Sequence, residues 1–206
     1  MAKQNINSKK GFTIIEVVLV LAIAGLIFLM VFVALPALQR SQRDTARRND
    51  MSRVDTSLVQ YQTNNMSAGG NANSALPSGP NYYNATTGQS TGQGNAAKDF
   101  IEKYMNSGTD GSNNTFEDPD GTLYNLYISE NWDTSNSGIS TSVGAAKLKA
   151  GAKTGSYTID SSFSDHVVYI IPGAKCDGEN VVKDTKRHFA VMYRLEGAGV
   201  YCIDDQ

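Results

Sequence analysis

A long apolar run near the N-terminus dominates the pattern of hydrophobic and polar positions. Residues 17–38 are almost wholly aliphatic or aromatic, and no charged residue occurs between Glu16 and Arg40. A bilayer core about 30 Å thick needs about 20 apolar residues in a helix, so the run is long enough to span a membrane. Gly25 and Pro36 are the residues within it that weaken a helix.

The helical pattern continues beyond the apolar run. Residues 39–64 contain neither Gly nor Pro. We therefore predict one helix from near Phe12 to near residue 64, on the order of 80 Å long, with its first half in lipid and its second half packed on a soluble domain. Four apolar residues at intervals of 3, 4 and 3 form the packing face of this second half: Met51, Val54, Leu58 and Tyr61.

The middle of the chain predicts little regular structure. Residues 65–95 are rich in Gly, Asn, Ser and Thr and predict a loop. A short amphipathic helix is predicted to begin after Asn95 and to end at Gly108. A turn and a strand follow, up to Ser129, and the polar segment 133–155 is interpreted as mostly irregular.

The C-terminal quarter gives the clearest strand pattern. Residues 167–171 are continuously apolar and predict a central strand. Residues 188–195 alternate between apolar and more polar positions, which predicts a strand buried on one face, and 200–203 form its antiparallel partner. The apolar face of the helix covers this sheet. The fold class is therefore α+β: a long N-terminal helix packed on a small antiparallel sheet.

Charge and composition exclude several kinds of function. The chain carries 18 Lys and Arg against 20 Asp and Glu, a net charge of −2, so it has no general basic field for a nucleic acid. Arg40, Arg43 and Arg47 make the helix basic while the remainder is acidic. We interpret this contrast as a source of lateral attraction between copies of the chain.

Candidate catalytic and metal-binding patterns are weak. Residues 88–92 match G-x-S-x-G, but the flanking sequence predicts neither the strand nor the helix that a nucleophile elbow requires. His166 and His188 are interpreted as ordinary side chains. Residues 118–121 resemble part of a calcium loop, but the ligand positions of an EF-hand are not met, and a turn is the better interpretation. We expect no catalytic residue, no metal and no cofactor.

Two plainer interpretations of the N-terminus remain open. A secretory signal peptide with its cleavage site at Ala22-Ile23-Ala24 is one, and an uncleaved single-span anchor is the other. Both leave Glu16 unexplained. The lysines before the span and the arginines after it favour a cytoplasmic C-terminal part by the positive-inside rule. Against this, an even number of cysteines (Cys176 and Cys202) behind an export-type N-terminus favours a disulfide over two free buried thiols.

The junction between the polar start and the apolar run carries a specific pattern, Lys9-Lys10-Gly11-Phe12-Thr13-Ile14-Ile15-Glu16. It resembles the type IV prepilin family, including the pseudopilins. Family members share a short basic leader, a Gly at the cleavage point, Phe followed by Thr or Ser, two aliphatic residues and Glu. The resemblance covers about residues 8–64 and is only architectural beyond them.

The resemblance implies roles for five residues. A membrane aspartic prepilin peptidase is expected to cleave after Gly11 and to methylate the new amine of Phe12. Glu16 is expected to neutralise this amine on a neighbouring subunit, which sets the axial register; a carboxylate in an apolar segment is costly without such a partner. Gly25 and Pro36 match helix-weakening positions of such filaments, between which the helix unwinds; a simple kink is the alternative.

The resemblance also implies a division of the chain. Its C-terminal region between Cys176 and Cys202 is similar to the disulfide-bounded part of pilin heads, which lies at the fibre surface. The expected segments are a leader at 1–11, a transmembrane and assembly half of the helix at 12–38, an amphipathic half at 39–64 and a globular α+β head at 65–206.

The implied function is that of a structural subunit and not of an enzyme. After cleavage and N-methylation the prepilin is expected to polymerise into a cell-surface pilus for adhesion, twitching motility or DNA uptake. Expected partners are further copies of the chain, the prepilin peptidase, the assembly platform with its ATPase and, before assembly, lipid of the cytoplasmic membrane; no direct nucleic-acid site is evident. A minor pilin, a secretion-system pseudopilin and a non-polymerising membrane-anchored surface binding protein or hydrolase remain alternatives.

Overall fold

The computed structural model describes residues 11–67, 76–77, 79–92, 95–105, 116–129, 132, 142–143, 146–160, 166–197 and 199–206. The chain divides into two compact units between Ser41 and Gln42. The predicted leader before Gly11, the predicted helix stop at Gly108 and parts of the segments 65–95 and 133–155 lie outside the described residues.

The helix α1, Ile14–Ser67, is continuous over 54 residues, which confirms the single long helix predicted from the sequence. By length and composition it can cross a membrane, and it is the one such helix in the described part of the chain. Its apolar side chains are exposed as far as Leu38; Leu26, for example, is 68% exposed. An all-apolar surface of this size needs lipid or other helices around it, because water is a poor solvent for it.

Strands and two short helical segments follow α1 in the described part of the chain. The short helix α2 continues directly into a π-helical turn, Ile101–Met105, and together they fill the position predicted for the helix after Asn95, although the Asn95 side chain makes no capping hydrogen bond. The elements are β1 Asn81–Asn84, β2 Gln89–Gly92, α2 Ala96–Phe100, β3 Asn125–Ile128, β4 Ser142–Val143, β5 Ala146–Ala150, β6 Ser156–Ile159, β7 Val167–Pro172, β8 Ala174–Asp177, β9 Asn180–Lys183, β10 Phe189–Arg194 and β11 Val200–Asp204.

The strands form two sheets. The first has the order β11-β10-β7-β3-β1-β2, in which β3 and β7 are parallel and the other neighbours antiparallel. The second has the order β4-β5-β6-β9-β8 and is antiparallel throughout. The predicted central strand is β7, and the predicted C-terminal hairpin is β10 with β11. Antiparallel pairing therefore dominates, as predicted, but the β structure is larger than a single small sheet.

The central strands of the first sheet, β7 and β10, are buried on both faces. One face, with Val191, shares an apolar cluster with Met51 and Leu58 of α1. The opposite face, with Met192, shares a cluster with Val181 of the second sheet. The prediction that β10 is buried on one face was wrong, because the second sheet covers the side that the sequence pattern assigns to water.

Two segments that the sequence predicted as loops contain strands. The hairpin of β1 and β2 lies within 65–95, and β4 and β5 lie within 133–155. Strand β2 is an edge strand of small polar residues, most of them exposed. In β5 the buried Leu148 stands between two lysines. One buried side chain in a polar strand leaves no periodic pattern, so composition alone favoured a loop.

A disulfide joins the two sheets. Cys176 and Cys202 are bonded, with 5.8 Å between their Cα atoms. Cys176 lies in β8, an edge of the second sheet, and Cys202 in β11, an edge of the first. Asp204 reinforces this junction, since its Oδ2 accepts a hydrogen bond of 2.7 Å from the backbone N–H of Cys176.

We predict that replacing both cysteines by serine lowers the free energy of unfolding by about 2–5 kcal/mol, because the unfolded chain is no longer closed into a loop. Denaturant unfolding of the full chain in detergent measures this, followed by the fluorescence of Trp132, the single tryptophan, which packs in the cluster between the sheets. Reductant should reproduce the loss in the parent chain and leave the double variant unchanged. A loss below about 1 kcal/mol contradicts a stabilising role for the bond.

Candidate functional site

The predicted cleavage junction is accessible. Gly11, Phe12 and Thr13 precede α1 and have no regular secondary structure. Phe12 is 89% exposed, and a side chain built on Gly11 would meet no atom within 4 Å. Proteases cut exposed backbone outside regular structure, so the bond between Gly11 and Phe12 has the geometry of a cleavable site.

Glu16 closes a reciprocal capping box with Thr13 at the start of α1. The backbone N–H and the hydroxyl of Thr13 both donate to Glu16 Oε2, each at 2.9 Å. The backbone N–H of Glu16 donates to Thr13 Oγ1 at 3.4 Å. This arrangement follows from Thr and Glu three residues apart at a helix start. The sequence contained this signal, but the prediction considered only the charge of Glu16 and missed the capping box. The exposed carboxylate of Glu16 therefore has a local partner within one subunit.

Gly25 and Pro36 both lie inside α1, which continues through them. Nothing lies within 4 Å of a side chain built on Gly25. Pro36 has no N–H to donate to the preceding turn, so the helix lacks one hydrogen bond there. Their role as helix-weakening positions stays a prediction.

A second candidate site is a buried ion cluster centred on Arg47, whose side chain is 2% exposed. Its Nε and Nη2 donate to Asp118 Oδ2 and Oδ1, both at 2.7 Å. Asp118 also accepts the hydroxyl of Tyr193 at 2.8 Å and the backbone N–H of Asp120 at 3.1 Å. Four donors thus satisfy this buried carboxylate, which is what burial of a charge requires.

The same cluster fastens α1 to the turn between β10 and β11. Arg43 donates three hydrogen bonds to Glu196, of 3.0, 3.2 and 2.7 Å, and Arg47 Nη2 donates to Glu196 Oε1 at 2.8 Å. Asp44 accepts the backbone N–H groups of Glu196 and Gly197 at 2.9 and 3.0 Å. We call this set the arginine clamp, consisting of Arg43, Asp44 and Arg47 on α1 with Asp118, Tyr193, Glu196 and Gly197 on the head.

The clamp lowers the pKa of two carboxyl groups, those of Asp118 and Glu196. Burial alone raises the pKa of Asp118, but hydrogen bonds from Arg47, Tyr193 and the Asp120 amide together outweigh it and lower the value to about 2. Hydrogen bonds from Arg43 hold the pKa of Glu196 at about 2, with desolvation opposing and Arg47 adding to the effect. Both groups are therefore ionised at neutral pH.

The sequence contained a signal for the clamp that the pattern analysis missed. Asp44 and Arg47 continue the stripe of Met51 and Val54 backward at the same intervals of 3 and 4 residues. An apolar criterion ends the stripe at Met51, yet the buried face does not end there. The guanidinium groups of Arg43 and Arg47 are bound within the subunit, and the attraction of a second copy by Arg40, Arg43 and Arg47 stays a prediction.

Asp118, Asp120 and His166 place three metal-ligating side chains within 4.8 Å of one another, beside a pocket of about 330 Å³. Arg47 already occupies both oxygens of Asp118 and lies 4.0 Å from Asp120 Oδ2. A divalent cation there has to displace this guanidinium or tolerate a like charge beside it. The donor set therefore fits the arginine better than a metal ion.

The other candidate chemistry is not assembled into a site. Ser90 lies within β2, whereas a nucleophile elbow requires a turn between a strand and a helix. His188 Nδ1 lies 3.1 Å from Asp205 Oδ1, a carboxylate that the sequence did not indicate. Asp205 Oδ1 also accepts the backbone N–H of Phe189 at 3.2 Å, so this pair holds the C-terminus against β10.

The described chain thus combines an accessible Gly-Phe junction, a capped helix long and apolar enough to cross a membrane, and an α+β head. Residues 6–32 match the family model described as the prokaryotic N-terminal methylation motif. The chain thus carries the leader signature of type IV pilins and pseudopilins. No curated protein and no solved structure matches the chain significantly.

We predict that Arg47→Met lowers the free energy of unfolding by about 3–5 kcal/mol, because it leaves Asp118 buried without its cation. The matched control is Arg53→Met on the same helix. The Arg53 side chain is 51% exposed and lies 3.5 Å from Asp50, and its loss is expected to cost about 1 kcal/mol or less. Denaturant unfolding followed by Trp132 fluorescence measures both, and equal losses contradict the buried-pair interpretation.

We predict that acid removes part of the stability. Asp118 and Glu196 have lower pKa values in the folded than in the unfolded chain. Their contribution is therefore complete above about pH 4–5 and is lost as the pH falls toward 2. The free energy of unfolding measured across this window should fall less steeply in Asp118→Asn than in the parent chain. An unchanged slope contradicts the assignment.

Proposed function

We propose that the chain is a type IV prepilin, the structural subunit of a cell-surface pilus. The observation that carries the proposal is Glu16, a capped and exposed carboxylate on an otherwise apolar helix surface, placed directly after an accessible Gly11-Phe12 junction. The leader signature over residues 6–32 supports a pilin or pseudopilin. The size and exposure of the apolar surface of α1 support assembly through helix contacts.

Cleavage after Gly11 creates a cationic partner for Glu16, whereas Thr13, its partner in the described part of the precursor, is uncharged. The new amine of Phe12, methylated by the same peptidase, is a cation four residues before Glu16. In a bundle of apolar helices this amine and the carboxylate of an adjoining copy neutralise each other. An unpaired member of such a pair is heavily penalised, whereas a matched pair adds little net stability. The contact therefore selects the axial register more than it strengthens the filament.

The proposal determines partners and location. The prepilin peptidase acts at Gly11 on the cytoplasmic side of the membrane, and lipid surrounds residues 12–38 until the subunit enters the filament. An assembly platform with its ATPase drives that step, and the head reaches the cell surface. Cys176 and Cys202 are bonded, which agrees with a head outside the reducing cytosol.

Minor pilins and secretion-system pseudopilins share the leader and the helix, so they remain the second candidates. A non-polymerising membrane anchor is the third. Its weakness is Glu16, because an anchor has no use for a carboxylate in its apolar segment. Assembly of filaments from this chain alone separates the first candidate from the other two.

We predict that Glu16→Gln abolishes filaments while leaving cleavage at Gly11 intact. Gln in this position retains the capping box with Thr13 but carries no charge, so the variant removes the pairing and keeps the helix start. Glu16→Val, which removes both the charge and the capping box, is the comparison. Filament yield by shearing and electron microscopy, with the N-terminal residue and mass of the membrane-bound subunit, measures the result.

Normal filament yield in Glu16→Gln contradicts the register role of the charge. Normal filament yield in Glu16→Gln together with loss of filaments in Glu16→Val shows instead that filament assembly requires the capping box and not the charge. A surface protein that retains its leader, or that begins near residue 24, contradicts the prepilin assignment itself.

A further inference from the structure

The two turns of α1 before Met51 are joined to the head without apolar burial. Residues 42–50 contain one apolar residue, Ala46, which is only half-buried. Met51 is the first fully buried apolar side chain of the helix. Any tight attachment of residues 42–50 must therefore come from polar contacts.

The arginine clamp supplies most of these contacts; the Tyr124 hydroxyl, which donates to Asp50 Oδ2 at 3.1 Å, and the Tyr201 ring, 5.6 Å from the Arg48 guanidinium, supply others. Arg43 and Arg47 bind Glu196, and Arg47 also binds Asp118 in the interior. Asp44 holds the β10–β11 turn through two backbone N–H groups. The clamp begins at Arg43, and the boundary between the two compact units of the chain falls just before it, between Ser41 and Gln42.

We propose that the arginine clamp is a stop for unwinding of α1. Unwinding that starts between Gly25 and Pro36 proceeds toward the head until it reaches Arg43, where the clamp ends it. The role in a filament rests on the proposed function, but the stop is a property of the single subunit.

The reason is that unwinding a residue at a free helix end costs little free energy, whereas breaking a buried ion pair costs much more. Removing one residue from a helix end changes the equilibrium constant by a factor of only about 1–1.6, so a helix end without tertiary contacts moves almost freely. Unwinding past Arg43 breaks its three hydrogen bonds with Glu196. Unwinding past Arg47 also leaves the buried Asp118 unpaired, which is strongly unfavourable. The resistance therefore rises abruptly within two turns.

Hydrogen exchange of the full chain in detergent micelles, read by mass spectrometry, tests the stop. The amides of residues 47–50 donate to the carbonyls of 43–46, so they report whether the clamped turns are helical. In the parent chain we expect these amides to exchange at least about tenfold more slowly than those of 40–43, since the former open only when the clamp breaks.

Two variants weaken the exposed part of the clamp and leave the buried Arg47–Asp118 pair in place: Glu196→Gln and Arg43→Gln. Each should accelerate exchange at 47–50 by about tenfold or more while the amides of β7 and β10 keep their protection. The matched control is Arg40→Gln, which replaces an exposed arginine on the same helix outside the clamp and should leave exchange at 47–50 unchanged.

Unchanged exchange at 47–50 in both variants overturns the proposal and assigns the boundary to apolar packing from Met51 onward. Equal exchange at 40–43 and 47–50 in the parent chain overturns it as well. Loss of protection in β10 together with 47–50 in both variants also contradicts it, since the contacts then hold the head and not the helix end. None of these outcomes depends on polymerisation, so failure here is distinct from failure of the pilin assignment.

Discussion

One continuous buried stripe on α1 attaches the helix to the head, and its first members are ions. Asp44 and Arg47 occupy the same helical face as Met51, Val54 and Leu58. The apolar members gain from leaving water whatever apolar surface they meet. The ionic members tolerate burial only when specific partners are in place. The apolar part of the stripe therefore supplies most of the attraction between helix and head. The ionic part determines the rotation and the axial position at which the helix packs on the head.

The same rule explains the two unusual carboxylates of the chain. Asp118 is buried and receives four donors from groups that the folded head holds in position. Glu16 lies on an apolar helix, and among the described residues of one subunit its hydrogen-bond partner is Thr13. In water the hydrogen bonds from Thr13 are sufficient for the carboxylate, since it also remains hydrated. Among packed helices it is not, because a capping bond does not neutralise a charge.

The sequence predicted the structure correctly where the apolar residues followed one dominant periodicity. It predicted α1, the stripe from Met51 to Leu58, the central strand β7 and the β10–β11 hairpin, because each places several apolar residues at regular spacing. It failed for the second sheet, since a strand such as β5 buries Leu148 between two lysines. It also failed for the clamp. Asp118 is about 70 positions from Arg47, and nothing in either local sequence shows that the fold brings them together.

In the proposed filament, the apolar half of α1 and the charge at its start make different contributions to assembly. Exposed aliphatic side chains from Val17 to Leu38 pack on any similar surface, so a shift of neighbouring helices by one turn changes their contact free energy little. A misplaced ion pair costs roughly 3–5 kcal/mol, a factor of 10² or more in an equilibrium constant. One charged contact per subunit is therefore enough to choose among registers that apolar packing leaves nearly equal. This argument requires that Glu16 be the only acid in the segment, which is what the sequence shows.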